Sequence, residues 1–572
     1  MAIKDKIWKA VEVLKRENVG RQFSLLPTLI SALYKHAYDS NFLIQKNEDL
    51  YKDAEYQMKA WSSDVQNRLF NCINYVEKEE LKSAVEILIL DNELVNTIYD
   101  REINKDFADL VYNLLKEDGH GNFVFNVGSG LGGFLINYAI RAQEKHYCFK
   151  GFSGIDYSMH DMTISKMALA LCDDGEMPGY IAVKEDEFED YSCMCNRGFV
   201  LPPFGMKMLN IKETRPSKLY PEFSFTARSA SEWVIIDTLL SKVEHNWRVV
   251  SVVSGNALFG SVDKAYRTAL IKHGLLEGII ELPNGAMPGF APRLYLAVFS
   301  KQNNYVKLLD AFDCIKPVQR KLFDSTLDVE LITKKYFSND CQIKHIDDIS
   351  KETNLVPSKL LLDKKAVKDG RKLKDIAKVF NGSQYTIKNF ESMFSSKDTG
   401  YKILTSSDIE DGYVNCDNLR NIEIKPNYKS GASLEDLRFW SRMAKDGDVI
   451  IANKSSKIKI AVIECGDNSI IVTGGMLIIR PDSKILNPTF LKIYFESEDG
   501  QNTLKKIQKG AVILSINAHD LGETTVPCPS MEKQIQIMEE SKSILSTIIA
   551  YKDEIIRLEA KLKDLYNKFM EE

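Results

Sequence analysis

The sequence has no apolar stretch of the length a bilayer requires. Runs such as WVII and ILIL fall far short of the roughly 20 residues of a membrane-spanning helix. The opening MAIKDKIWKAVEVLKREN alternates charge with apolar residues where a secretory leader would carry an apolar segment. Clustered cysteine is missing too. The 10 cysteines are scattered through 572 residues. The one tight pair, Cys193 and Cys195, has no second pair nearby, which argues against a disulfide framework and a structural zinc site. A reducing, cytoplasmic setting is the expectation. Excess positive charge is also absent: 75 Lys and Arg stand against 80 Asp and Glu, for a net charge of −5. Any nucleic-acid contact must therefore come from local basic patches. What is present is ordinary globular composition, 44% hydrophobic and 27% charged, in a chain too long for one core. At roughly 100–200 residues per domain, about three to five packing units are expected.

Glycine is nearly absent from residues 1 to 115, where only Gly20 occurs. There VEVLKREN, LLPTLISALYKHAY, VQNRLFNCINYVE and LKSAVEILIL repeat apolar residues every three or four positions, so a helical lobe is expected over 1–110. From 111 to 302 strand candidates (NFVFNV, FKGFSGID, YIAVKED, RGFVL, RVVSVVSG, EGIIEL, LYLAVFSK) alternate with helix candidates, the pattern of βαβ units and a mostly parallel sheet. Residues 303–370 are mixed and lysine-rich and read as a connecting segment. Over 371–530, short β-like stretches broken by glycine and asparagine indicate a separate strand-rich domain. Residues 531–572 read as one long helix. Its Ile544, Ile548, Tyr551, Ile555, Leu558, Leu562, Leu565 and Phe569 form a heptad seam, which suits either packing on its own domain or pairing with another helix.

Four elements point to chemistry. In Asn126-Val127-Gly128-Ser129-Gly130-Leu131-Gly132-Gly133 a strand ends in a side-chain-poor turn before a helix, so a cofactor can approach backbone N–H groups. A tight structural turn is the alternative. Asp156 ends the next strand, where a carboxylate can accept both ribose hydroxyls of an adenosine-containing cofactor, or else cap the following helix. Asp186, after YIAVKE, could meet an adenine amino group, and an exposed charge run explains it equally well. Last, Leu201-Pro202-Pro203-Phe204 follows a strand. The prolines stiffen the loop and Phe204 could stack on a flipped base, or simply fill a core.

In this order the elements resemble an amino-group DNA methyltransferase of the adenine-N6 type, and most closely the modification subunit of type I restriction enzymes. NVGSGLGGFL aligns without a gap to that family's D-P-x-x-G-S-G-G-F-L. WRVVSVVSGNALFGS, Arg267, LLEGIIELPNGAM and NLVPSKLL resemble its later tracts, so the likeness spans about 110–360. Further on, LKDIAKVFNGSQY, YKILTSSDIEDGYV, DGDVIIANKSSKIKIAVI and GAVILSINAHDLGETTVPCPSMEKQ resemble half of a type I specificity subunit. The resemblance implies a multidomain α/β chain: helical lobe, Rossmann-like methyltransferase sheet, α+β target-recognition domain and C-terminal coiled-coil helix. It implies S-adenosylmethionine as cofactor, bound by Asn126, Gly128, Gly130, Gly132, Asp156 and Asp186, and catalysis at Leu201, Pro202, Pro203 and Phe204. Double-stranded DNA is the implied partner. The basic, hydroxyl-rich stretch holding Lys454, Lys457 and Lys459 is a phosphate-gripping candidate, with a solvated loop as the alternative.

Three departures bear on function. Leu201 stands where the family has Asn or Asp, the acceptor for the adenine amino group. No Thr-Pro occurs in TIYDREINKDFADLVYNLL, where the family carries an aromatic-Thr-Pro. Asn126 replaces the usual Asp. The expectation is a sequence-specific DNA-binding subunit of a restriction-modification or phage-defence complex, degenerate in catalysis, acting as a homodimer or with another subunit through its last helix. An active methyltransferase is the alternative, and a nicotinamide-dependent dehydrogenase, which leaves the PPF loop unexplained, stands behind both.

Overall fold

The computed structural model describes residues 2–17, 25–91, 103–116, 120–156, 158–173, 180–184, 195–203, 214–283, 285–287, 293–316, 326–338, 341–352, 354–361, 367–383, 387–410, 412–423, 443–452, 458–466, 469–508 and 515–571. They form two compact units, residues 1–361 and 362–572.

The first unit opens with helices α1 (Ile3–Glu17), α2 (Leu25–Asp39), α3 (Glu48–Met58), α4 (Ser63–Ile73), α5 (Leu81–Leu90) and α6 (Lys105–Leu114). Their starts follow local capping chemistry: the Asn47, Ser62 and Asn104 side chains accept backbone N–H groups of the first turns of α3, α4 and α6. The α2 helix is apolar nearly all round, and twelve of its fifteen residues are buried, which marks a helix enclosed on every side. This lobe, expected as a separate domain over 1–110, shares one hydrophobic core with the sheet behind it, running from Ile7 through Phe134 and Phe199 to Cys341. The Ser31 hydroxyl meets Met167 Sδ at 3.7 Å, and Arg141 grips Asp109 through two parallel bonds of 2.8 and 2.6 Å.

The sheet has nine strands: β1 (His120–Val127), β2 (Cys148–Asp156), β3 (Tyr180–Lys184), β4 (Cys195–Val200), β5 (Val243–Ser254), β6 (Leu276–Glu281), β7 (Leu294–Phe299), β8 (Tyr305–Asp310) and β9 (Gln342–His345). Their spatial order is β9-β8-β6-β7-β5-β4-β1-β2-β3. Neighbours from β3 to β5 run parallel, β7 is antiparallel to both β5 and β6, and β8 returns to parallel beside β6. Every residue of β6 and β7 is buried, because helices cover both faces. Residues 303–370, expected to be a connector, instead add β8 and β9 to this sheet. Alternate buried positions in YVKLLD give β8 its place there. The longer helices around it are α7 (Gly133–Glu144), α8 (Met159–Cys172), α9 (Ser231–Leu240), α10 (Lys264–Lys272) and α11 (Val329–Phe337).

The second unit holds an antiparallel sheet of Ala377–Asn381, Met476–Pro481, Val449–Ala452 and Lys459–Val462, in that order, and a second sheet of five short strands. Val449, Ile451, Leu477 and Ile479 face one core, and Ile450, Ala452, Met476 and Ile478 face another. Burial on both faces explains why these strands read as continuous apolar runs. Two helices unsuspected from the sequence, Pro488–Glu496 and Glu498–Ile507, pack among the strands. One expectation is corrected here: Cys416 and Cys465, 49 residues apart, form a disulfide, which their separation concealed. The unit ends in a 41-residue helix, Met531–Glu571. Of its heptad seam, Ile544, Tyr551, Ile555, Leu558 and Leu562 are each more than half exposed. No described helix is long and apolar enough to cross a membrane.

Candidate functional site

Strand order reverses between β1 and β4: the chain winds outward through β2 and β3 on one side and through β5 on the other. In open α/β sheets, ligands bind beyond the carboxyl ends of strands at such a switch point. Here those ends are Val127-Gly128 and Val200-Leu201, joined by the Leu201 N–H donating to the Val127 carbonyl at 2.8 Å.

The glycine loop has the backbone its sequence foretells. Gly128, Gly130 and Gly132 sit at φ of 71°, 50° and 88°, a region that side-chain-bearing residues rarely adopt. Two of them also serve the protein's own packing. A Cβ on Gly128 would stand 1.9 Å from the Leu201 carbonyl oxygen, and one on Gly132 would stand 2.3 Å from Ser165 Oγ. Gly130 donates its N–H to Asp156 Oδ2 at 2.8 Å, while Asp156 Oδ1 accepts the Ser158 N–H at 3.0 Å. The acid ending β2 is thus a fastener of the glycine loop and also holds the N–H of Ser158, whose own side chain caps α8. Each carboxylate oxygen keeps lone-pair capacity for a ribose hydroxyl. The Ser129 hydroxyl, buried in the same turn, has no partner among the described residues. A side-chain-poor loop with a carboxylate at the next strand end fits an adenosine-containing cofactor. Asn126, buried in β1, donates to the Val127 and Phe199 carbonyls at 3.3 and 3.2 Å, tying β1 to β4.

Across the switch point, Leu201 packs its side chain against the large apolar core. Pro202 is buried. The Ser231 hydroxyl lies 3.5 Å from the Pro203 carbonyl and 3.4 Å from Glu232 Oε2. Glu232 is itself buried and accepts the Ser254 N–H at 3.3 Å. Ser231 and Glu232 therefore brace the proline loop from the start of α9, a role that sequence reasoning missed. The only signal was a Ser-Glu pair opening an apolar helix. Phe204 and Asp186 lie outside the described residues.

The later tracts converge on the same sheet. Arg267 donates to the Ala257 and Gly260 carbonyls at 2.9 and 2.8 Å and pins the turn after β5. Burial pushes its pKa down to about 10. The NLVPSKLL segment is fastened by the Leu355 N–H on the Leu258 carbonyl (3.2 Å) and the Ser358 N–H on Glu281 Oε2 (2.8 Å). The other oxygen of Glu281, a fully buried side chain at the end of β6, accepts from Arg293 at 2.6 Å. Burial, followed by the nearby Glu281, raises the Asp310 carboxyl above its ordinary range.

In the second unit Lys459 opens its strand and gives its ammonium to the Ser406 and Ile409 carbonyls at 3.2 and 2.9 Å, so it is committed to holding a turn. Lys454 and Lys457 lie outside the described residues. Among the described residues, no group of three or more His, Cys, Asp or Glu could hold a metal.

Residues 101–355 match the model of the N-6 DNA Methylase family. The chain resembles an adenine-N6 methyltransferase of restriction-modification systems. A curated relative, the type I restriction enzyme EcoBI specificity subunit of Escherichia coli, is 26% identical over 156 residues, which is 27% of this chain and 30% of the relative. The chain therefore spans less than a third of that relative's length. Among solved structures, the type I restriction-modification methyltransferase subunit from Streptococcus thermophilus is similar over 62% of this chain and 98% of its own, at 12% identity and TM-score 0.42. The type IIG restriction endonuclease BpuSI is similar over 94% of this chain and 75% of its own, at 10% identity and TM-score 0.43.

Proposed function

We propose that this chain is a DNA-recognition subunit of a restriction-modification or phage-defence assembly, carrying a methyltransferase-like domain that has lost most of its transfer activity. Leu201 carries the reading. It occupies the carboxyl end of β4, hydrogen-bonded through its backbone to the end of β1, where an acceptor for a target amino group belongs. Its side chain has no acceptor and is held by the apolar core. Sequence reading falls to the second unit, and partnership with a second copy or another subunit falls to the exposed seam of the last helix. The decisive experiment pairs tritiated methyl incorporation into duplex DNA with calorimetric titration of S-adenosylmethionine. Sequence-specific DNA binding without methyl incorporation supports the proposal, and robust adenine methylation by the native chain overturns it.

A second reading, an active adenine-N6 methyltransferase, is favoured by the glycine loop. Its left-handed glycines and the Gly130–Asp156 bond form an intact cradle. S-adenosylmethionine bound there would supply an electrophilic methyl group, and Gly130 and Asp156 would hold its adenosine end. Cofactor binding is required by the second reading and not by the first, so the titration and the transfer assay both separate them.

A further inference from the structure

At the opposite end of the sheet, away from the switch point, a cavity of about 580 Å³ opens between the end of α6, the start of β4, the first half of β5 and the turn after β7. Its size falls in the range of small-molecule sites, and its chemistry is cationic. Lys116, Arg197, Arg248 and Lys301 line it. Arg248 and the adjacent Lys307 both pair with one carboxylate, Glu277. Lys116 and Lys301 have no ion pair among the described residues. The Lys116 ammonium sits 4.4 Å from the Phe337 ring centre. It is held below its ordinary pKa, first by partial burial and then by the like charge of Arg248, although the residue stays open to solvent.

The backbone around this cavity is costly to maintain. Of the six described non-glycine residues at positive φ, three line it: Lys116 (50°), Asn246 (54°) and Gln302 (64°). Arg197 holds two of these turns by donating to the Asn246 and Lys116 carbonyls at 2.9 and 3.2 Å. The buried Trp247 shares the wall, and its indole N–H has no acceptor among the described residues. Strained turns held in place by a buried guanidinium thus carry two exposed ammonium groups at the rim, with the Glu277 carboxylate acting on Lys116 from nearby.

We infer that this cavity binds an oligophosphate through Lys116 and Lys301 at its rim, over a wall whose guanidiniums, Arg197 and Arg248, are already bonded within the protein. The inference is independent of the function proposed above, since it uses neither the glycine loop nor the proline loop. The test is calorimetric titration of the full chain with tripolyphosphate, a nucleoside triphosphate and sulfate, repeated on the double variant Lys116→Gln/Lys301→Gln. Both lysines are exposed, so the fold is expected to persist, and circular dichroism checks it. Tripolyphosphate should bind the native chain and bind the double variant at least about tenfold more weakly, since charge-assisted contacts are lost. Tighter binding of the nucleoside triphosphate would identify a nucleotide as the source. Displacement of bound duplex DNA by tripolyphosphate from the native chain but not from the double variant would identify a nucleic-acid backbone. Equal affinity in the native chain and the folded double variant, sulfate binding as tightly as tripolyphosphate, or no binding at roughly millimolar ligand would each overturn the inference.

Discussion

Leu201 is where a single side chain weighs most. An acceptor removed from a buried polar contact costs about 1–3 kcal/mol, which is roughly ten- to a hundredfold in rate when felt in the transition state. Restoring the acceptor has its own cost here, because Leu201 contributes to the apolar core and Leu201→Asn inserts an amide there. The variant is therefore expected to lower the melting temperature and to raise methyl incorporation only partly. Full activity in an unimpaired fold would show that Leu201 was the sole lesion. Glu277 offers a second test. Burial alone would raise its carboxyl, but Arg248, Ser300 and Lys307 outweigh it and hold it below the ordinary carboxylate value. A carboxylate with a lowered folded pKa stabilises above its unfolded value, and that stability is lost as pH falls through the folded value. Glu277→Gln should cost about 3 kcal/mol at neutral pH by stranding Arg248. Denaturant titrations should show that penalty shrinking below about pH 4; a pH-independent penalty would mean the ion pair is not its origin.

At the scale of elements, the sequence was most legible where local geometry and residue type coincide. The glycine loop could be read because positive φ selects glycine, and β7, LYLAVF, because a strand covered on both faces is continuously apolar. β8 and β9 escaped notice because they lie toward the sheet's edge and break their apolar residues with lysines, so KLLD and QIKH resemble linker. Ser231, Glu232 and the basic cavity escaped because their meaning arises only when segments distant in sequence meet. Asp156 was legible as a strand-end acid but not as the fastener of Gly130. Its dual role predicts that Asp156→Ala weakens S-adenosylmethionine binding and also frees the Gly130 amide. Hydrogen exchange at the glycine loop should rise together with the loss of affinity, and affinity loss with unchanged exchange would separate the two roles. The last helix is the remaining element with unmet needs. Its exposed Ile544, Tyr551, Ile555, Leu558 and Leu562 suit burial against a partner helix. Ile555→Lys with Leu562→Lys should dissociate the assembly in light scattering while the melting of the sheet unit stays unchanged. A native chain that is monomeric at micromolar concentration, with no partner subunit, would remove this role.

For the whole molecule, net charge is −5, so the proposed DNA binding must rest on local basic contacts rather than on the field of the whole chain. Each phosphate neutralised releases counterions and adds about 0.9 to the steepness of the salt dependence on duplex DNA. Of Lys454, Lys457 and Lys459, only Lys459 is among the described residues, where it opens a strand of the second unit. Its ammonium already serves the Ser406 and Ile409 carbonyls, so it has little left to give a phosphate. Lys459→Ala should therefore lower thermal stability and leave the salt slope of DNA binding nearly intact. Lys454→Ala with Lys457→Ala should do the reverse, reducing the slope by about 2 with little change in melting. Fluorescence anisotropy with a fixed duplex over a range of salt, beside a melting curve for each variant, reads both quantities. If the double variant keeps the native slope, the stretch is ordinary solvated surface and DNA is gripped elsewhere. If Lys459→Ala alone flattens the slope, its bonds to the two carbonyls give way when DNA binds, and the turn it holds is part of the recognition surface.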